Sequence, residues 1–306
     1  MARHLIHIGY PKAGSTFLQA WFEKHPELRY KPGGLGGFHN VYELARPSGK
    51  SYKYHVTSFE GLATPLGGAA TLEPDYERAE RETDEQWREH QAGVCALLKS
   101  LYPGSRVLII TRGFKALLLS GYSQYVRTGG KRHLRDMWLR TSDGARQSHV
   151  RYYDFDHLIG LYAGAFGEEN LIVLPYELLR DDQAKFVAVL EERLGLAHAD
   201  IRVGRLNPSL SPEELYWYPL ISRAVSSAAS RLGSARSKDI HGWYVRRALD
   251  NRLRPLVKVL SLLRPGRKIT RDDFPEDVLG CFKGKATRLK DNPLYAPYAA
   301  EYLWDS

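Results

Sequence analysis

The sequence predicts a three-layer α/β sandwich, a central parallel sheet with helices on both faces, followed by a helical C-terminal extension. Three observations predict it. His4–Ile8 is a short apolar-rich run, it meets Gly9-Tyr10-Pro11, and Thr16–Lys24 then carries Phe17, Leu18, Trp21 and Phe22 at helical spacing. Strand, Gly-containing loop, helix is the opening of a nucleotide-type α/β unit. Arg106–Thr111 has the unbroken Val/Leu/Ile core of a parallel strand covered on both faces. Strand and helix patterns alternate along the chain, which argues for a parallel sheet.

The remaining elements follow in order. Residues 30–37, Tyr-Lys-Pro-Gly-Gly-Leu-Gly-Gly, read as a flexible loop, and Tyr52–Ser58 alternates as a strand. Glu73–Ser100 opens with Pro74, is highly charged, and reads as a helix until Pro103-Gly104. Phe114–Val126 reads as a helix, and Asn170–Leu174 as a short buried strand after a helix stop at Gly167. Gln183–Leu194 is a helix ending at Gly195, and Pro212–Leu263 is mostly helical and basic. No internal repeat interrupts the chain. It is expected to form a single domain over 1–306, with 210–268 a mostly helical basic insertion or cap.

Composition bounds the function. The 306 residues are 43% hydrophobic and 26% charged, a globular balance. Two cysteines, Cys95 and Cys281, exclude a disulfide framework and fit a reducing compartment. No run approaches the roughly 18 apolar residues of a membrane span, and Leu5–Ile8 is too short for a signal-peptide core. A cytoplasmic protein is expected. The net charge of +9 is uneven: 44 Lys/Arg stand against 35 Asp/Glu, and residues 201–290 hold 19 Lys/Arg against 8 Asp/Glu. Such a segment attracts an anionic ligand, an anionic surface or nucleic acid, and charge alone does not choose among them.

The first loop carries the chemistry. Gly9-Tyr-Pro-Lys-Ala-Gly14-Ser15-Thr16 sits between a strand and a helix N-terminus, where free N–H groups and the helix dipole favour an anion. Gly-x4-Gly followed by Ser-Thr approaches a Walker A loop, so the fold is P-loop-like. Two features depart from an NTPase. Ser15 stands where the Walker lysine would follow the second Gly, and Lys12 lies inside the loop. The strand Val107–Ile110 runs into Thr111-Arg112 instead of the Asp that helps hold magnesium. A guanidinium in that place recruits a further anion, not a cation. Ser120 follows Arg112 by eight residues.

Pro11-Lys12-Ala13-Gly14-Ser15-Thr16 resembles the 5′-phosphosulfate loop of sulfotransferases that use 3′-phosphoadenosine 5′-phosphosulfate (PAPS). Arg112 with Ser120 resembles that family's 3′-phosphate site, and Tyr176-Glu177 in Leu-Pro-Tyr-Glu-Leu-Leu resembles a third element whose Tyr lies by the adenine. The three stand in the family's order over roughly residues 4–210, and the style is most similar to bacterial cytosolic members. The resemblance implies metal-independent, in-line transfer of a sulfuryl group to a hydroxyl or amine, with 3′,5′-ADP as the spent cofactor. It implies that Lys12 stabilises the bridging oxygen, and that Ala13, Gly14, Ser15 and Thr16 frame the 5′-phosphate. Phe17 would pack on the adenine or in the core. Arg205 is a candidate for a late second clamp, with Lys283-Gly-Lys285 and Arg267-Lys268 as other candidates. None of these matches the family's Arg-Lys-Gly pattern.

The acceptor must lose a proton, so a general base is expected. Glu60 follows a strand whose C-terminal end faces the ligand crevice, in a Ser-Phe-Glu-Gly-Leu context similar to bacterial members. His39, after the Gly-rich loop, is its rival, and His55 inside the strand is a third. The implied partner is a small-molecule, glycan or lipid acceptor, with no nucleic acid. Two other function classes stand against this. A P-loop kinase or NTPase conflicts with the misplaced Lys and the absent Walker B Asp. A nucleic-acid-binding protein rests on the charge of 201–290 alone, without a recognisable motif. Neither a His-x-x-x-His pair with a Glu nor a Cys-x-x-Cys indicates a metal site.

Overall fold

A computed structural model of the chain describes residues 3–31, 49–64, 83–134, 151–204, 209–231 and 234–304. The expected parallel sheet is present. Its strands are β1 (Arg3–Gly9), β2 (Leu28–Tyr30), β3 (Tyr54–Ser58), β4 (Arg106–Thr111) and β5 (Leu171–Pro175). All pair in parallel, in the order β2-β3-β1-β4-β5. Leu5, Ile6, His7 and Ile8 of β1 are each 0% exposed. Successive strand residues face opposite sides, so both faces of the sheet are covered at its centre.

The first compact unit takes residues 1–114, 143–206 and 281–306 and contains the sheet. Helix α1 (Ser15–Lys24) buries Leu18, Trp21 and Phe22, and packs beside β2 and β3. Helix α2 runs over Asp84–Leu101, later than the expected start at Glu73. Residues 65–82 lie outside the described residues. At the observed start Thr83 and Gln86 form a reciprocal capping box, which satisfies amide groups the helix itself leaves open. The β3 strand likewise starts at Tyr54, not Tyr52, because its pairing with β1 begins at Arg3 and Tyr54.

Two of the elements that the sequence reading did not give, beyond the Gly167 stop, lie in this unit. One is the three-residue strand β2. The other is helix α4 (Phe155–Phe166), capped by Asp154, whose side chain accepts the His157 N–H at 3.0 Å. Phe155, Leu158, Ile159, Tyr162 and Phe166 give α4 a buried stripe at helical spacing, and it packs on β4, β5 and α2. Helices α5 (Tyr176–Asp181) and α6 (Gln183–Leu194) follow β5, and Gly195 ends α6 in the left-handed conformation at φ 62°.

The second unit takes residues 115–142 and 207–280. Helix α3 (Phe114–Arg127) leads into it. Its basic stretch is helical as expected: α7 (Pro212–Ser230), α8 (Ser234–Leu249) and α9 (Arg254–Leu263), with a short α10 (Glu276–Gly280). Ser211 and Glu214 form a capping box at the start of α7. Glu214 also accepts from the Tyr218 hydroxyl and from Arg254 Nε at 3.1 and 3.0 Å, tying α7 to α9. After α10 the chain returns to the first unit as 3-10 turns at Thr287–Leu289 and Ala296–Tyr302.

Candidate functional site

The loop after β1 is shaped by backbone conformations that most residues avoid. Gly9, Lys12 and Gly14 have φ of 124°, 63° and 89°. A lysine in the left-handed region is uncommon and costs energy that the surroundings must offset. Alternating left- and right-handed residues turn successive N–H groups toward one concavity, a form that binds anions. The first hydrogen bond of α1 runs from the Leu18 N–H to the Gly14 carbonyl at 3.1 Å, and no side chain caps the helix. The amides at the start of α1 are therefore outside the helical ladder. Ser15 Oγ is buried without a partner, and Ala13 beside it is fully buried. An orphaned hydroxyl at an uncapped helix N-terminus fits a phosphate or sulfate oxygen.

Gly14 is required on steric grounds as well. A Cβ there would stand 2.7 Å from Leu179 Cδ2 and 3.3 Å from Tyr176 Cδ2. Tyr176, at the start of α5, thus packs against the loop. Arg112, one residue past β4, lies over the same ring, with its guanidinium carbon 4.5 Å from the centroid. Arg112 Nη1 donates to the Lys12 carbonyl oxygen at 2.5 Å, while its buried Nε has no partner. Burial lowers the Arg112 pKa, an effect opposed by Tyr176 and Glu177. An arginine keeps its charge through such a shift. The ring of Tyr176 is a packing piece between Gly14 and Arg112 in this arrangement.

Behind Arg112 stands a buried polar network. Glu177 is 0% exposed. Its Oε1 accepts the Gly113 N–H at 2.9 Å, and its Oε2 accepts the Tyr302 hydroxyl at 3.0 Å. The Tyr302 and Tyr295 hydroxyls meet Thr111 Oγ1 at 2.9 and 2.8 Å. Burial raises the Glu177 pKa, and the Gly113 amide is the first group that pulls it back. A Cβ at Gly113 would come within 2.5 Å of Glu301 Cβ, so the C-terminal turn lies directly on this strand end. The network fixes the backbone on either side of Arg112.

Glu60 belongs to a 3-10 turn directly after β3. Its carbonyl oxygen and Cα would lie 3.0 and 3.4 Å from a Cβ at Gly9. The turn is pinned to β1 by Phe59 N–H to His7 O and Ala63 N–H to Ile8 O, each at 3.0 Å. The backbone of Glu60 therefore lies against the start of the loop that follows β1, with its residue half-buried. Next to it, Ser58 Oγ meets His7 Nδ1 at 2.7 Å and accepts from Gln19 Nε2 at 3.4 Å. Burial pushes the His7 pKa down to about 3, so His7 is neutral near pH 7.

Of the residues singled out in the sequence, the first unit holds Lys12, Ala13, Gly14, Ser15, Thr16, Phe17, Glu60, Arg112 and Tyr176. Lys12, Gly14, Arg112 and Tyr176 are in mutual contact through the loop, and Glu60 borders it. Phe17, half-buried, meets Phe186 of α6 edge-on at 6.4 Å. His55 lies near the start of β3, opposite His4, away from the strand end that carries Glu60. Ser120 is in the second unit, on α3. Arg267 of that unit is paired with Asp273. His39 and Arg205 lie outside the described residues. The sequence reading missed the roles of Glu177, Thr111, Tyr295 and Tyr302. The available signals were a carboxylate among apolar residues in Leu-Pro-Tyr-Glu-Leu-Leu and the tyrosines of the last turn.

Among the described residues, no group of three or more His, Cys, Asp or Glu side chains lies close enough to hold a metal ion. No helix of the described residues is long and apolar enough to cross a membrane.

No protein-family model matches the chain, and no curated protein matches it. Among solved structures, the chain is similar to a sulfotransferase from Alicyclobacillus acidocaldarius. The two are 17% identical with a TM-score of 0.45, over 73% of this chain and 94% of that one. It is also similar to mouse sulfotransferase SULT7A1 complexed with PAP, at 14% identity and a TM-score of 0.40, over 100% of this chain and 89% of that one.

Proposed function

We propose that this chain is a PAPS-dependent sulfotransferase. The observation that carries the reading is the joining of two anion-binding elements in one place. Arg112, at the end of β4, is hydrogen-bonded to the carbonyl of Lys12 in the uncapped helix loop. An NTPase would use that strand end for a metal-binding carboxylate. Here it carries Thr111, whose hydroxyl is occupied by two tyrosines, and then a guanidinium. The donor set is cationic and amide-rich, which suits a nucleotide with phosphates at both ends of its ribose.

When bound, PAPS supplies a sulfuryl group activated by its link to phosphate. The residues of this chain do the rest. The amides at the start of α1 and the Ser15 hydroxyl hold the 5′-phosphate. The Lys12 ammonium neutralises charge that grows on the leaving oxygen as the bond to sulfur breaks. The free donors of Arg112 hold the 3′-phosphate, with Ser120 adding a hydroxyl. Glu60 takes the acceptor proton, and His39 is the rival for that role. Arg205 and the 210–268 insertion complete the single catalytic domain. The acceptor is a hydroxyl or amine on a small molecule, glycan or lipid, not a nucleic acid. Neither Cys95 nor Cys281 is in a disulfide, in keeping with a cytoplasmic location.

The experiment is thermal unfolding with 3′,5′-ADP beside 5′-AMP and ATP with magnesium. A ligand that binds only the native state at about 100 times its dissociation constant adds about 2.7 kcal/mol. A rise in midpoint with 3′,5′-ADP alone supports the reading. A rise only with ATP and magnesium replaces it with a kinase, and no rise with any of the three rejects nucleotide binding. Transfer of labelled sulfate from PAPS to an acceptor panel then tests the reaction.

A further inference from the structure

Helix α9 has more apolar surface than its unit buries. Arg254, Lys258 and Ser261 take one narrow face, at intervals of four and three residues, and every other residue of the helix is apolar. Only Val257 is buried. Leu256, Val259, Leu262 and Leu263 are 45%, 54%, 86% and 79% exposed. Two of these four therefore stand almost wholly in solvent, side by side at the end of the helix. Single exposed leucines are ordinary, but a contiguous helical stripe of them marks an interaction surface.

The stretch that carries this stripe is rich in cations. Residues 252–271 contain Arg252, Arg254, Lys258, Arg264, Arg267, Lys268 and Arg271, and no Asp or Glu. Arg252, Arg254 and Arg267 are paired with Asp250, Glu214 and Asp273 from outside the stretch, and Asp272 and Asp273 follow it directly. Lys258, Arg264 and Lys268 are exposed. Trp243, on α8 of the same unit, is 50% exposed and carries the Arg247 guanidinium over its ring at 5.0 Å.

We propose that this unit docks through α9 on an anionic lipid bilayer. The helix lies along the surface, with Leu256, Val259, Leu262 and Leu263 among the acyl chains and the flanking cations against the headgroups. The combination selects this occupant. A bilayer takes up apolar and cationic groups together, because the two layers of chemistry lie a few ångströms apart in depth. A nucleic acid would satisfy the cations and leave the leucines in water. A second copy across a two-fold axis would cover the leucines and set the cationic stretch against itself. Leu262, Leu263, Lys258 and Arg264 are assigned no contact with the nucleotide, so membrane docking and nucleotide binding can fail separately.

The test is co-sedimentation of the full chain with vesicles of phosphatidylcholine alone and of phosphatidylcholine mixed with phosphatidylglycerol, at rising salt. Binding to the mixed vesicles, weak binding to the neutral ones, and loss with salt are expected. The double variant Leu262→Asp/Leu263→Asp should lower binding by about tenfold or more, because it places carboxylates at the depth of the acyl chains. Lys258→Glu/Arg264→Glu should lower it by about tenfold at low salt and flatten the salt dependence. Both pairs are solvent-facing, so an unchanged unfolding midpoint is expected and checks that the variants fold. No binding to the anionic vesicles overturns the proposal. So does binding that survives the leucine substitutions, which would mean simple adsorption of charge. A dimer in solution that the leucine substitutions dissociate would assign the face to a second copy.

Discussion

Arg112 and Lys12 are joined across the first unit through the backbone: Arg112 Nη1 donates to the Lys12 carbonyl oxygen at 2.5 Å. A guanidinium past the end of β4 thereby holds the backbone of the loop after β1. Lys12 holds a left-handed φ of 63°, and the bond to its carbonyl is one of the contacts that can offset the strain. In the proposed enzyme this couples the two ends of the nucleotide, since the residue assigned to the 3′-phosphate also steadies the loop assigned to the 5′-phosphate.

Lys12→Ala should therefore separate binding from chemistry. Its ammonium is assigned to charge that appears only as the bond to sulfur breaks, and removing such a group costs about 10²–10³-fold in rate. Steady-state transfer should fall by that factor while 3′,5′-ADP affinity changes by much less. Equal losses in both would move Lys12 to ground-state binding.

Arg112→Ala should weaken 3′,5′-ADP by about tenfold or more, because a charge-assisted hydrogen bond contributes about 1.5–3 kcal/mol. The loss for 5′-AMP should be smaller, limited to the loosened loop. Titration calorimetry with both ligands gives the ratio. A parallel loss for the two nucleotides would leave Arg112 as a loop anchor only.

Glu60→Gln should keep nucleotide binding and lose transfer, measured by calorimetry with 3′,5′-ADP beside steady-state sulfate transfer. His39→Ala is the control. If it abolishes transfer while Glu60→Gln does not, the base is His39.

Tyr302→Phe tests the network behind Arg112. The substitution leaves Glu177 Oε2, in a residue with no exposure, without its tyrosine donor. An unsatisfied buried acceptor costs about 1–3 kcal/mol. The unfolding midpoint should fall accordingly, and Arg112-dependent nucleotide affinity should fall with it. A midpoint within error of the parent would show that the hydroxyl is dispensable.

Acid should destabilise the first unit through His7. Its pKa is pushed from 6.5 down to about 3 in the fold, by burial. The unfolded chain binds a proton below pH 6.5 that the folded chain refuses, so stability is full above that value and is lost as pH falls toward 3. The expected slope from this residue is about 1.4 kcal/mol per pH unit. His4, pushed down to about 4 by burial and by His55, acts in the same direction. Denaturant titrations of the parent and of His7→Gln at pH 7 and pH 5 check this, with a shallower drop expected in the variant.

Local patterns in the chain proved readable to different depths. The β4 strand and helix α6 have the boundaries expected from the sequence, Arg106–Thr111 and Gln183–Leu194. Each is bounded by a strong local signal, the charged end of an apolar run or a glycine past the last turn. Helix α4 was not foreseen although its apolar spacing is regular, because it follows a stretch with no clear punctuation and ends at the one signal that was read, Gly167. The three-residue strand β2 has too few residues to show a period. The edge-on contact of Phe17 with Phe186 spans 169 positions along the chain and leaves no local pattern.

The strand-loop-helix opening and the cationic end of β4 are legible in the chain alone. These rest on turn chemistry and on periodicity among near neighbours, which act before any tertiary contact forms. What holds those segments in place comes from contacts between parts of the chain that are far apart in sequence. Glu177 reaches Gly113 across 64 positions and Tyr302 across 125, and Arg112 reaches Lys12 across 100. Such contacts leave no local pattern, because burial makes a polar group seek whatever partner the packed chain brings within reach. The sheet does that here: β4 lies between β1 and β5, so the residues that follow these three strands meet beside one loop.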